Sequence, residues 1–204
     1  MVQVIKDRKS LRMYLDADRF ALGINRRIPI VDAVWIYERT LRFYEYHKNK
    51  NNIIRRCFYS VLLSIRGQRL GFSISGNCFG PGLRINHFGS LVVNSNARIG
   101  EWCDIHQGVN IGENGCFQDD KFISQVPRLG NYIFIGPGAK IFGDRLIGDN
   151  VQIGANAVVN KDVHDGCFVY GIPKTTREKI RKTSTIASKD FERMFLENIR
   201  YIKH

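Results

Sequence analysis

Aliphatic side chains recur every six residues through much of this 204-residue chain. The clearest run is Leu129, Ile135, Ile141, Ile147, Ile153 and Val159, and the earlier runs are Val93, Ile99, Ile105, Ile111 and, two residues out of phase, Phe79, Ile85, Leu91. A period of six matches neither the α-helix nor a lone β-strand. It predicts a parallel β-helix, a prism in which each short strand buries one aliphatic side chain before the chain turns a corner, with about 18 residues per coil.

The repeat is interrupted between Glu113 and Arg128, where the small residues typical of the corners are missing. We expect a loop here that leaves the prism and returns, and loops on rigid scaffolds often carry function. One degenerate coil is the alternative, because the distance in sequence from Ile111 to Leu129 is the length of a single coil.

Helices are predicted on both sides of the repeats. The first has Ser10 as its N-cap and runs to Leu22, the second runs from Asp32 to about Lys48, and the third from Ile53 to Arg69. Another is predicted at the end of the chain, from Lys189 to His204. The expected organisation is an α-helical region over 1–70, the β-helix over 71–173, and a basic tail with a short helix over 174–204.

The net charge of +12 lies at the two ends of the chain. Residues 1–70 carry 15 Lys+Arg and 6 Asp+Glu, residues 71–173 carry 7 and 9, and residues 174–204 carry 9 and 4. The basic ends could meet an acidic membrane surface or a phosphorylated substrate, and solvated helix faces would give the same counts. Nucleic acid is not an expected partner, because the middle lacks a basic surface interleaved with aromatic residues.

The cysteines and the apolar segments indicate the cellular compartment. Five cysteines, an odd number with no C-x-x-C pair, favour free thiols over a disulfide framework. No apolar run approaches the roughly 20 residues that span a bilayer, and the first residues have no signal-peptide core. We therefore expect a cytoplasmic protein.

Three segments carry a resemblance to a known family. They are Phe79-Gly80-Pro81-Gly82-Leu83-Arg84-Ile85-Asn86-His87-Phe88-Gly89, Ile105-His106-Gln107-Gly108-Val109-Asn110-Ile111-Gly112, and residues 147–159, which lead to Gly171-Ile172-Pro173. The chain resembles the serine acetyltransferase family of hexapeptide-repeat acyltransferases, in the branch found with capsule and exopolysaccharide genes. The resemblance implies a left-handed parallel β-helix, acetyl-CoA as the acyl donor, and a homotrimer with its active sites in clefts between adjacent prisms.

His87 matches the catalytic histidine of that family. Acetyl transfer needs a base, because the acceptor hydroxyl loses its proton as it attacks the thioester, and imidazole titrates near neutral pH. The anionic tetrahedral intermediate needs hydrogen-bond donors, which backbone N–H groups at the corners can supply. The alternative is a histidine that only packs at a subunit contact.

The resemblance also assigns binding residues. Gly112, Glu113, Pro137, Ala155 and Lys161 match acetyl-CoA-binding positions, and Lys161 could meet a CoA phosphate. Each of these also has a plain explanation in corner packing or in a solvated charge. For the acceptor we expect His106, Gln107 and Ser73, where Ser73 could orient His87, and no metal is expected.

Two departures from the family bear on the acceptor. Serine-specific members have a second histidine where this chain has Val126, and an aspartate where it has Phe72 or, with one gap, Ser73. We therefore expect an O-acetyltransferase acting on a sugar in capsular or exopolysaccharide biosynthesis. Serine O-acetyltransferase of cysteine biosynthesis is the alternative, followed by a non-catalytic scaffold or sugar-binding trimer. A zinc hydratase is less favoured, because it needs two further histidines close in sequence.

Overall fold

A computed structural model of the chain describes residues 4–24, 32–118 and 121–171. Its three helices precede the strands: α1 spans Arg8–Ala21, α2 Ala33–Asn49 and α3 Ile53–Leu70. The predicted start of α1 is wrong by a few residues. Asp7 is the N-cap, because its carboxylate accepts the Ser10 backbone N–H at 2.7 Å while the Ser10 hydroxyl accepts the Asp7 N–H at 3.0 Å. Ser10 is therefore the second member of a capping box.

Short parallel strands form three sheets, which are the three faces of the prism. The first face contains β1 (Phe72–Ile74), β3 (Leu91–Val93), β6 (Asn110–Gly112), β11 (Lys140–Phe142) and β14 (Val158–Val159). The second contains β2 (Arg84–Ile85), β5 (Asp104–Ile105), β10 (Phe134–Ile135), β13 (Gln152–Ile153) and β15 (Phe168–Val169). The third contains β4 (Arg98–Ile99), β9 (Arg128–Leu129) and β12 (Leu146–Ile147).

The period-six residues form the core of the prism. On the second face, Ile85 pairs with Ile105, Ile105 with Ile135, and Ile135 with Ile153. All four side chains are buried. The stretch of chain from Ile85 to Ile105 is two residues longer than the regular coil from Ile135 to Ile153. This enlarged first coil explains the phase difference of the earliest repeats.

The interruption of the repeats is a loop, as predicted. Ile99 pairs with Leu129, so the segment between Ile111 and Leu129 is not a coil of the third face. It contains β7 (Cys116–Gln118) and β8 (Lys121–Ile123), which pair antiparallel as a hairpin. The chain therefore leaves the prism and returns to it.

A buried ion-pair network joins the helices to the first coil. The guanidinium of Arg42 on α2 donates to Asp18 on α1 at 2.7 Å and to Glu45 at 3.0 Å, and these side chains are almost fully buried. It also donates to the carbonyl oxygens of Phe79 and Gly80 at 3.0 and 2.7 Å. Burial alone would lower the pKa of Arg42, but the two carboxylates raise it overall. Arg42 therefore remains a cation that fastens both helices to the prism.

Two further expectations concern a terminal helix and membrane-spanning segments. The terminal helix predicted from Lys189 to His204 lies outside the described residues. Within 4–24, 32–118 and 121–171, no helix is long and apolar enough to cross a membrane.

Candidate active site

One edge of the prism carries four of the residues predicted from the sequence. His87, Gln107, Pro137 and Ala155 each lie two residues beyond a paired isoleucine of the second face. Their register therefore stacks them along the edge where the second face ends. Neighbouring parallel strands lie about 4.8 Å apart, so the four positions span about 14 Å. We call this line of residues the His87 edge.

His87 follows the first strand of the second face, and its side chain is exposed. Its ring centroid lies 6.2 Å from that of His106, which comes from the coil below. An exposed imidazole at a corner can receive a proton from a hydroxyl brought to it from outside. The position agrees with the role predicted for His87 as a general base.

The second predicted histidine, His106, belongs to a hydrogen-bonded cluster. The Asn86 amide donates to Asp104, and its nitrogen lies 3.0 Å from His106 Nε2. His106 Nε2 lies 3.6 Å from the Asp104 carboxylate, and Arg84 donates to the other Asp104 oxygen at 3.3 Å. The Phe134 ring meets His106 edge-on at 5.1 Å. This half-exposed polar group, next to His87, is the Asp104 cluster.

Gln107 lies beneath the turn that follows His87. A side-chain carbon at Gly89 would come within 3.2 Å of the Gln107 Cβ, so the two residues are in close contact. The Gln107 Oε1 atom is buried and has no hydrogen-bond partner within the described part of the chain. Because this atom has no contact with solvent, the conformation shows no binding role for Gln107.

The other predicted acetyl-CoA residues lie on a different edge. Gly112 ends β6, Glu113 follows it, and Lys161 is two residues beyond the end of β14 on the same face. Glu113 is exposed and accepts a hydrogen bond from the Asn94 amide at 3.1 Å. About six residues of chain separate this edge from the His87 edge, up to roughly 20 Å when extended. Within one chain the two groups therefore lie on different edges of the prism.

Two positions discussed for the acceptor do not reach His87 through a hydrogen bond. Ser73 is exposed on β1 and lines a cavity of about 500 Å³ with Tyr37 and Gln68. Among the described residues no hydrogen bond joins Ser73 to His87, so the expected orientation of the imidazole by Ser73 is not observed. Val126 packs against the aliphatic core and offers no polar group to the site.

Buried carboxylates support the segment before His87, and sequence reasoning missed them. Asp18 accepts the backbone N–H groups of Gly82 and Leu83 at 2.8 and 2.9 Å. Glu38 accepts that of Ile85 at 3.0 Å. Burial, together with nearby Asp18, raises the pKa of Glu38 well above its usual value. The available signal was the spacing of Asp18 from apolar Leu11 and Tyr14, which places it on the buried face of α1.

One cavity in the described part of the chain lies away from these residues. It has a volume of about 760 Å³, lies beside the third face, and is lined by Arg98, Arg128 and residues of the neighbouring turns, and by none of the predicted site residues. In the described ranges no group of three or more His, Cys, Asp and Glu side chains could hold a metal ion. The His87 edge, where an exposed imidazole lies next to His106 and above further predicted residues, is the best candidate for an active site.

Comparison with known proteins gives one consistent picture. No family model matches the chain. The serine acetyltransferase of Helicobacter pylori J99 is 34% identical over 135 residues, which are 66% of this chain and 75% of the relative. The serine acetyltransferase of Synechococcus elongatus is 42% identical over 98 residues, 48% of this chain but only 38% of the relative. The shared part therefore covers most of one relative and less than half of the other.

Solved structures agree with the sequence comparison. The Neisseria gonorrhoeae serine acetyltransferase, crystallised in complex with serine, matches with a TM-score of 0.59 and 25% identity. The match covers 82% of this chain and 69% of that structure. The matched share is larger than the prism alone.

Proposed function

The chain belongs to the serine acetyltransferase family, and on that premise we propose that it transfers the acetyl group of acetyl-CoA to the hydroxyl of L-serine. The observation that carries the proposal is the His87 edge, where an exposed imidazole lies above Pro137 and Ala155, two residues that match acetyl-CoA-binding positions by resemblance. The relatives' names support L-serine as the acceptor.

The expected polysaccharide acceptor is wrong. The relatives that match this chain over most of their own length are named serine acetyltransferases. This favours the alternative, acetylation of L-serine. The expectation depended on Val126 and Ser73, two positions without the polar partners of serine that serine-specific relatives have. Other charged side chains can bind serine in their place.

The proposed reaction uses His87 as a general base. The imidazole takes the proton of the serine hydroxyl as the oxygen attacks the thioester carbon. The tetrahedral oxyanion is stabilised by N–H donors at the corners and then collapses, which breaks the carbon–sulfur bond. The imidazolium returns its proton to the departing CoA thiolate. One O-acetylserine and one CoA are formed, and the enzyme is restored.

The donor is proposed to lie along the His87 edge, with its pantetheine arm beside Pro137 and Ala155. Gly112, Glu113 and Lys161 would then act from the other edge of a neighbouring chain. This division supports a homotrimer of left-handed prisms, because a cyclic assembly sets unlike edges of adjacent copies face to face. Lys161 is exposed and is proposed to meet a CoA phosphate.

The assembly is open to a direct test. We expect the purified protein to sediment as a trimer at micromolar concentration, because the two groups of donor-binding residues need two chains. Sedimentation velocity over a range of concentrations would measure it. A monomer that is fully active in the same buffer would contradict the shared site.

The acceptor is tested by steady-state kinetics. With acetyl-CoA in excess, we expect kcat/KM for L-serine of about 10⁴ M⁻¹s⁻¹ or more, as for an ordinary enzyme on its own substrate. CoA thiol release measures the rate, and L-alanine, which lacks the hydroxyl, is the matched control. Release that is no faster with L-serine than with L-alanine would overturn the proposed function.

A further inference from the structure

The Asp104 cluster contains opposite charges beside the proposed base. Arg84 and Asp104 face each other on neighbouring strands of the second face, with Arg84 Nη1 3.3 Å from Asp104 Oδ2. Both remain partly open to solvent, with 46% of the Arg84 side chain and 26% of the Asp104 side chain exposed. A cation and an anion that are accessible side by side match the two charges of an amino-acid zwitterion.

A hydrogen bond joins the Asp104 carboxylate to Asn86, the residue that precedes His87. An amide NH₂ has two donor hydrogens, and the geometry at Asn86 allows one to reach Asp104 and the other His106 Nε2. Phe134 packs against the His106 ring and fixes its position from the coil below. Asn86 therefore links Asp104 to His106, and the His106 ring lies 6.2 Å from that of His87.

In this chain, no other described position predicted for the acceptor carries a carboxylate or a guanidinium group. The position of the family's second histidine is Val126, which packs into the core. Ser73 carries no charge, and the side chain of Glu38 is fully buried, which keeps it from a ligand outside the prism. A site for an amino acid needs partners for both charges, because an unpaired charge loses its hydration without replacement.

We propose that Asp104 binds the ammonium group and Arg84 the carboxylate of the acceptor, and that the Asp104 cluster thereby selects a zwitterionic hydroxyl compound for attack at His87. This inference rests on the proposed acetylation of L-serine. Asn86 and His106 are positioning residues, since they hold the Asp104 carboxylate toward the base. Neutral sugars would leave the Arg84–Asp104 pair without a ligand.

The test compares kcat/KM of the parent enzyme and its variants with three acceptors. L-serine is compared with 3-hydroxypropanoate, which lacks the ammonium group, and with ethanolamine, which lacks the carboxylate. Asp104→Asn keeps the shape of the side chain and removes its charge. We expect it to lower kcat/KM for L-serine by at least about tenfold, the size of one charge-assisted hydrogen bond. Its kcat/KM for 3-hydroxypropanoate should stay within about threefold of the parent enzyme.

Two further variants, Arg84→Met and Asp16→Asn, are measured with the same three acceptors. Arg84→Met should lower kcat/KM for L-serine and 3-hydroxypropanoate together, and change that for ethanolamine little. Asp16→Asn removes an exposed carboxylate of α1 and should change none of the three values. A loss in Asp104→Asn that is equal for all three acceptors would show a purely structural role and overturn the inference.

Equilibrium binding separates this inference from the proposed reaction. Calorimetric titration of L-serine into the parent enzyme and into Asp104→Asn needs no turnover. Binding by the parent that is weakened at least about tenfold in the variant supports the Asp104 cluster, even where acetyl transfer to L-serine fails. Equal affinity in both proteins, or no binding by the parent, would overturn the cluster. Acetyl transfer to L-serine by both proteins alike would leave the proposed function standing.

Discussion

His87→Ala is expected to lower kcat by about 10² to 10⁴-fold while the affinity for acetyl-CoA stays nearly unchanged. The imidazole is the group proposed to take the hydroxyl proton, and the donor is proposed to lie against other residues of the edge. Removing the base should therefore slow the chemical step and leave donor binding intact. Steady-state kinetics and a calorimetric titration with CoA would measure the two quantities.

A matched control for this variant is His164→Ala. His164 is an exposed histidine near the other end of the coils, and its loss should leave kcat unchanged. Turnover by His87→Ala within a few-fold of the parent enzyme would remove His87 from the mechanism. A tenfold or greater loss of CoA affinity would instead place His87 in the donor site.

Arg42→Met is expected to destabilise the fold by about 3–5 kcal/mol, because it leaves two buried carboxylates without their cation. Asp18 and Glu45 contact the Arg42 guanidinium at 2.7 and 3.0 Å, and all three side chains are almost fully buried. Burial already raises the pKa of Glu45 in spite of Arg42, so without Arg42 we expect Glu45 to take up a proton. Two hydrogen bonds from α2 to the first coil are lost as well.

Chemical denaturation, with the helical signal as the probe, would measure this change. The control is Arg12→Met, which breaks the exposed 3.7 Å pair with Asp16 on α1 and should alter the free energy of unfolding by at most about 0.5 kcal/mol. Equal stability of the two variants would show that the buried network does not fasten the helices to the prism.

The core of the prism could be predicted from the sequence, but its register could not. One aliphatic residue in six is what each short strand needs to bury, and this identified Ile105, Ile135 and Ile153 correctly. The spacing between paired strands varies from coil to coil, because the first coil is enlarged and a later one contains the hairpin loop. Only the pairing shows that Pro137 and Ala155 share an edge with His87, while Lys161 lies on another.

The charged groups were the hardest part to predict. A charged residue on a helix is usually solvated, so Arg42 and Glu38 gave no clear signal before their burial was known. For Asp18 the signal was its place on the apolar face of α1. On the second face, Arg84 and Asp104 are a whole coil apart in sequence and become neighbours through strand pairing. The prediction of a sugar acceptor depended on two substituted positions, Val126 and Ser73, and the relatives contradict it.

The proposed function of this site is acetylation of the hydroxyl of L-serine. The most direct test is a single competition reaction, in which the enzyme and acetyl-CoA are given equal concentrations of L-serine and of neutral monosaccharides. The acetylated products are then identified by mass spectrometry and compared with the CoA thiol released. We predict that O-acetylserine is formed in a one-to-one ratio with CoA and that the sugars stay unmodified. Acetyl groups on a sugar, or CoA release without O-acetylserine, would contradict the claim.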